Sequence, residues 1–403
     1  MPQRCLLLAG SWGPERVPAR RDRDDADWYL PLHVRDAGAA RERIAAQVAA
    51  GADVVVAPTW LTHRRALLPL GETRRAATWT VAAVRVAREA LEVGMERREE
   101  LLAELPPDDV QRERMIRRGR PRPLVAAVLP ALDDQPDTGT GRLLPHDAAG
   151  ERDYRDQAGL LADAEPDLLL VEGGPAEVEA RVAAGQAAST GLPAWLALHD
   201  VAASTSPPDA WIEWSQHVGL ARLLLSNPTQ AAAAADADLP WGGLLREPVD
   251  VPAWLKAGAT ALARLDGASV AAITPLRTAI DEIEREAIEV EQAAERRWLE
   301  HLERAAMMAP GGAALWLGDR PAMPLPDGFE WLVVDPSEAN RLPAGRYRLI
   351  VARRPFGRAG DLLDHDGVLA LGAPLARGAG SGLRTVVVDD ASVPPLAIYR
   401  REG

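Results

Sequence analysis

Over roughly the first 280 residues, short apolar runs bounded by Gly, Pro or Asp alternate with stretches whose apolar residues recur at helical spacing. The apolar runs lie at 5–9, 54–57, 124–129, 168–171, 194–198, 222–225 and 269–273, with a weaker one at 241–245. Short, nearly continuous apolar runs of this kind predict parallel strands buried on both faces. Between most of them, amphipathic patterns predict helices at 41–50, 74–92, 153–164, 176–188 and 254–262. Eight strands with helical crossovers predict an α/β fold, a (β/α)8 TIM barrel over residues 1–285. A doubly wound open sheet is the alternative that the same pattern allows.

The rhythm then changes. From 278 to 308 a long helix is predicted, with Ile280, Ile283, Ala287, Ile288, Val290, Trp298, Leu299 and Leu302 along one apolar stripe and a stop at Pro310-Gly311-Gly312. The segment 286–310 reads as a linking helix. Its stripe suits either a homodimer seam or a strut between two domains. Beyond it, strand-like runs at 314–317, 331–335, 347–352, 368–371, 385–388 and 396–399 predict a small C-terminal α/β domain over 311–403.

Composition narrows the classes. No run of eighteen apolar residues exists, so no membrane span is expected. The apolar stretch at the start is too short for an export leader, and with one cysteine in 403 residues a cytoplasmic protein is expected. A net charge of −13 argues against nucleic acid as a partner. One segment is locally basic, with Arg112, Arg114, Arg117, Arg118, Arg120 and Arg122 after a helical stretch from 96. It lacks interleaved aromatics, so it reads as a solvated helix end, with phosphate docking as the alternative.

Several segments, in order, carry a resemblance. Ala50-Gly-Ala-Asp-Val-Val-Val-Ala-Pro-Thr-Trp60, then Leu70-Gly-Glu, then Ala83-Val-Arg-Val-Ala-Arg-Glu-Ala90 resembles the second βα unit of the homocysteine S-methyltransferase family, AGADVI-x-TNTY followed by AV-x-LAREA. Leu6-Leu-Leu-Ala-Gly-Ser-Trp-Gly-Pro-Glu15 resembles the family opening LLDGGMGTEL. Tyr154-Arg-Asp-Gln157 with Asp167-Leu-Leu-Leu-Val-Glu172 resembles YREQ…DLLLLET, and Ala271-Ala-Ile-Thr-Pro-Leu-Arg-Thr-Ala-Ile280 resembles the closing GGCCGTTPEHI. The likeness spans about 4–285 and implies a barrel with methyl-transfer ancestry.

The same resemblance implies a zinc held by one cysteine after the sixth strand and two in the turn after the eighth. Here those places read Leu225-Ser226-Asn227-Pro228 and Ala271-Ala272-Ile273-Thr274, and the family's Asp and Asn near the first two strands are Ala9 and Pro58. A homocysteine thiol must become a thiolate to attack a methyl donor, and zinc lowers its pKa to make it one. Ser, Asn and Ala cannot rebuild that site. The single cysteine, Cys5, precedes the first strand, at the barrel end opposite the active-site face, and reads as a buried small hydrophobe. No cofactor is therefore expected from the barrel.

Polar residues nonetheless fall at strand ends. Glu172 closes the fourth strand and aligns with a family Glu that binds the amino-acid part of the substrate; capping the next helix is its simpler role. His199 and Asp200 close the fifth strand, as candidates for moving protons, with a backbone-bonded loop histidine as the simpler reading. Thr59 and His63 follow the second strand, Ser226 and Asn227 the sixth, and Thr274 the eighth, as candidate substrate contacts. Of twelve tryptophans, Trp12, Trp28, Trp60, Trp195, Trp211, Trp214 and Trp241 fall partly near strand ends, where they suit packing or a pocket for a methylated cation.

The tail resembles the later half of a class I S-adenosylmethionine-dependent methyltransferase, through Trp331-Leu-Val-Val-Asp335-Pro, Tyr347-Arg-Leu-Ile-Val-Ala-Arg353 and Thr385-Val-Val-Val-Asp-Asp390. The glycine-rich loop and helix that would cradle that cofactor are missing, so Asp335 reads as a turn residue rather than a ribose ligand. Two functions stay open: a barrel enzyme handling a small amino-acid-like or sulfur-containing molecule without thiolate zinc, or a non-catalytic scaffold or partner subunit that kept the fold.

Overall fold

The computed structural model describes residues 4–9, 30–68, 70–107, 122–130, 148–173, 177–198, 208–226, 239–245, 250–264, 270–309, 311–317, 325–352, 362–371, 383–389 and 396–401. They form two units, Met1–Arg285 and Glu286–Gly403.

The first unit is a closed barrel of eight parallel strands in sequential order: β1 (Leu6–Ala9), β2 (Val54–Ala57), β3 (Leu124–Leu129), β4 (Leu168–Gly173), β5 (Ala194–Leu198), β6 (Arg222–Leu225), β7 (Trp241–Leu245) and β8 (Ala261–Arg264). Closure comes from β1 pairing with both β2 and β8. Strand alternation sorts the side chains into two cores. Leu8, Val54, Val56, Ala126, Val128, Leu168, Leu170, Trp195, Ala197, Leu224, Leu244, Ala261 and Ala263 fill the interior. The intervening positions, among them Leu7, Val55, Leu169, Leu196 and Leu223, face the helices. At Gly242 an added Cβ would stand 2.3 Å from the Ala261 carbonyl oxygen, so β7 approaches β8 more closely there than any side chain allows.

The eighth strand corrects the sequence-based expectation. It is Ala261–Arg264, inside what reads as the end of a helix, and the expected strand 269–273 lies instead at the start of the helix Val270–Met308. The alanine-rich Ala-Leu-Ala-Arg mimics helix composition. The preceding helix, Val251–Lys256, ends earlier than its pattern suggests, where Gly258 turns the chain with φ +97°. The apolar Val270-Ala-Ala-Ile run followed by Thr274-Pro275 mimics a strand stopped by proline, yet Pro275 lies within the helix, where it forgoes one hydrogen bond.

The strand starts carry a buried ionic floor. Arg277 Nη1 donates to Asp53 Oδ2 at 2.9 Å, and its Nη2 lies 2.6 Å from Asp281 Oδ1. Asp53 Oδ2 also accepts from Leu7 N at 2.9 Å, and Glu284 Oε1 accepts from Cys5 N at 3.0 Å. These bonds tie the helix Val270–Met308 to the first two strands. Burial works against the Arg277 charge, and Asp53, Asp281 and Glu284 more than offset it, so its pKa lies above the ordinary value. Gly51, at φ +107°, makes room for the Arg277 stem, which lies 2.5 Å from where a Cβ would stand. Arg222 packs its guanidinium 4.5 Å from the Trp195 ring centroid and donates to Thr260 O; burial lowers its pKa to about 10.

The second unit holds a six-stranded sheet in the order β10-β9-β11-β12-β14-β13, from β9 (Gly312–Leu317), β10 (Phe329–Val334), β11 (Tyr347–Ala352), β12 (Leu363–Leu371), β13 (Leu383–Asp389) and β14 (Leu396–Arg401). Strands β9 to β12 run parallel, and β14 lies antiparallel between β12 and β13. One face packs under Trp298, Leu302 and Ala305. The apolar stripe of the long helix is therefore used inside the units: Ile280 and Ile283 join the barrel core, and Trp298 and Leu302 join the sheet core. Between these two groups, Ala287 and Val290 of the stripe are exposed, Val290 at 69 %. No helix among the described residues is long and apolar enough to cross a membrane.

Candidate active site at the barrel mouth

In TIM barrels the C-terminal ends of the strands form the active face. Glu172 stands there on β4, in register with Ala197 of β5 and on the same side as Leu168 and Leu170. Alternation thus turns its carboxylate into the mouth. Trp60, just after β2, packs on the interior core, and its indole Nε1–H donates to Glu172 Oε2 at 3.0 Å. Ser226, one residue past β6, continues the inward row of Leu224 and is half-buried.

The other expected contacts do different work. Thr59 is buried, with its Oγ1 accepting from Val128 N at 2.8 Å and donating to Val128 O at 3.3 Å. It extends the β2–β3 pairing beyond the strand. His63 caps the short helix Arg64–Leu67, its Nδ1 accepting from Ala66 N at 3.3 Å. Thr274 is a correction: it lies on the exposed side of the helix Val270–Met308, with Oγ1 donating to Val270 O at 3.2 Å, and not at the end of the eighth strand. His199, Asp200 and Asn227 fall outside the described residues, as do Arg112 to Arg120 of the basic segment, Trp12 and Trp28. Arg122 pairs with Glu92 on the surface.

Most of the remaining tryptophans are packing residues. Trp211 and Trp214 flank the Arg181 guanidinium at 4.4 and 4.9 Å, and Trp241 and Trp254 pack together outside the barrel. Trp195 lies at the floor with Arg222. Trp60 is the described tryptophan that reaches the mouth. A residue the sequence reading did not single out is His33, buried against the backbone carbonyls of Pro58 and Trp79 without a well-formed hydrogen bond to either. Burial pushes its pKa down to about 4, so it is neutral at pH 7. Nothing in the surrounding sequence marks it; it becomes visible only when the segment after β1 is placed beside β2.

In the tail, Asp335 Oδ1 accepts from Ser337 N at 2.8 Å and Ser337 Oγ at 2.6 Å. These bonds make it the turn residue that its sequence context suggests.

The family model described as homocysteine S-methyltransferase matches residues 36–237, half of the chain and most of the barrel, including Trp60, Glu172 and Ser226. The chain belongs to the homocysteine S-methyltransferase family. Among solved structures, the metallated form of the homocysteine methyltransferase MmuM from Escherichia coli matches with 20 % identity and a TM-score of 0.52, covering 68 % of this chain and 96 % of that one. Its oxidized form matches with 18 % identity and a TM-score of 0.50, covering 68 % and 95 %. At that identity the structures speak for the shared fold. No curated protein matches. Relative to the family's cysteine pattern, Cys5 is buried at the start of β1, beneath the interior. Burial pushes its thiol up to about 12, against the pull of Arg277. Among the described residues, no three His, Cys, Asp or Glu side chains gather as a metal site.

Proposed function

We propose that this homocysteine S-methyltransferase-family barrel binds the amino end of a small amino-acid-like, sulfur-containing ligand at Glu172, and that it does so without a thiolate zinc. The observation that carries this reading is Glu172 itself, an inward carboxylate on β4 whose Oε2 is held by the Trp60 indole. An ammonium group docking there would form a charge-assisted hydrogen bond in a partly desolvated mouth. Ser226 would offer a hydroxyl from the end of β6, two strands along from β4, and His199 or Asp200 would be the groups to move a proton if chemistry follows.

A family zinc does not fit the donors present. One thiol cannot make three ligands, and Cys5 lies at the wrong end of the barrel with a pKa that keeps it protonated at pH 7. No reaction step is therefore routed through zinc, and S-adenosylmethionine in the tail lacks the glycine-rich cradle that would hold it. The single cysteine also supports a second reading, a non-catalytic scaffold or partner subunit. Calorimetry with L-homocysteine separates the two. The first reading expects a saturable heat in the wild type, with an affinity that Glu172→Gln lowers by about a hundredfold without removing it. No heat with the wild type favours the scaffold, and an unchanged affinity in Glu172→Gln refutes the role given to Glu172.

A further inference from the structure

We infer that Trp60 is a positioning residue that acts through Glu172; this rests on the proposed ligand site but has a readout independent of it. A glutamate side chain has three rotatable torsions, and at a barrel mouth it samples many orientations unless something holds it. Here the indole supplies one hold. Trp60 is half-buried and packs against the interior core, which gives its ring a backing. Its Nε1–H then donates to Glu172 Oε2 at 3.0 Å. An indole has one donor and no acceptor, so in this bond the carboxylate accepts.

The geometry explains why a tryptophan suits this place. The donor must come from β2 and reach β4 across the width of β3, and the bicyclic ring spans that gap while burying its body on the interior core. Phenylalanine would keep the packing and lose the donor. A carboxylate already oriented has less freedom to lose when an ammonium docks, so removing the donor weakens binding without removing any ligand contact.

The test is a double-mutant cycle with Trp60→Phe and Glu172→Gln, read by calorimetry with L-homocysteine and with its des-amino analogue, 4-mercaptobutanoate. Trp60→Phe is expected to lower the preference for the amino compound about three- to tenfold, the cost of ordering one flexible side chain on binding. In the Glu172→Gln background the same change is expected to alter that preference less than about twofold. An equal loss in both backgrounds means that Trp60 touches the ligand or only stabilises the fold, and overturns the inference. The second readout needs no ligand. The 15N-indole resonance that disappears in Trp60→Phe should shift in Glu172→Gln as its charged acceptor is lost; an unmoved resonance overturns the inference. Should L-homocysteine give no heat with the wild type, the proposed function fails, and the indole resonance still decides the role of Trp60.

Discussion

Arg277→Met is the most demanding test of how the barrel is closed from below. Arg277 is 5 % exposed and holds Asp53, itself 2 % exposed, at 2.9 Å. Methionine keeps the aliphatic stem that lies over Gly51 and deletes only the guanidinium. Asp53 then keeps the Leu7 N–H as a partner but loses the Arg277 guanidinium. Truncating one side of a buried ion pair typically costs about 3–5 kcal/mol, because the remaining charge is left uncompensated. At about 2.1 cal/mol/K per residue, the unit Met1–Arg285 unfolds with an entropy of roughly 0.6 kcal/mol/K, so a loss of about 4 kcal/mol lowers its Tm by about 7 °C. Differential scanning calorimetry and guanidinium titration read both quantities. Asp281→Asn should cost less, about 1 kcal/mol, since that carboxylate retains 19 % exposure. The double change Arg277→Met with Asp53→Leu should recover part of the loss, as it removes the buried Asp53 charge while leaving the Leu7 N–H without that acceptor and Asp281 without the guanidinium. A loss below about 1 kcal/mol for Arg277→Met, or strict additivity in the double variant, would refute the ionic floor as the link between the helix and the strands.

Four further outcomes follow from the same geometry. Cys5 is the only thiol and is buried, so it should resist a thiol reagent in the native state at pH 8 and react only as the barrel opens; its labelling rate should rise in step with the destabilisation of Arg277→Met. Its raised pKa also implies stability that is complete below about pH 9.0 and falls as the pH climbs from there toward about 12, a slope that Cys5→Ala should remove. His33 carries the opposite sign: its folded pKa is depressed from 6.5 to about 4, so stability is complete above 6.5 and falls as the pH drops toward 4. Denaturant midpoints measured between pH 4 and 7 should lose that dependence in His33→Leu. Gly51→Ala should destabilise the first unit, because a Cβ there would meet the Arg277 stem and strain a φ of +107°.

Where the sequence was legible, one kind of signal made it so. Seven strands could be read because each is an apolar run framed by turn residues, and parallel barrel strands are apolar on both faces. The eighth could not, because Ala261-Leu-Ala-Arg264 has the composition of a helix and the Val270-Ala-Ala-Ile273 run beyond it has that of a strand. Glu172 was legible as a site candidate because a lone carboxylate at the end of an otherwise apolar strand has few places to go. Thr59 and His63 looked similar on paper, but their side chains close local backbone, at Val128 and Ala66, and nothing in spacing distinguishes a staple or a cap from a ligand contact. The ionic floor was invisible for a different reason: Asp53 and Arg277 are 224 residues apart in the chain and meet only in the closed barrel.

The central claim is that the mouth reads an amino group through Glu172 and does not read a zinc-activated thiol. The most direct measurement is isothermal titration of the wild-type protein with L-homocysteine and L-methionine, each with a chelator and with added zinc. If the amino group is what Glu172 recognises, both ligands bind with affinities within a few-fold of each other and zinc changes neither, since a chain with one cysteine cannot supply three thiolates. A zinc-dependent preference for L-homocysteine of about a hundredfold or more, equivalent to about 2.7 kcal/mol, would contradict it.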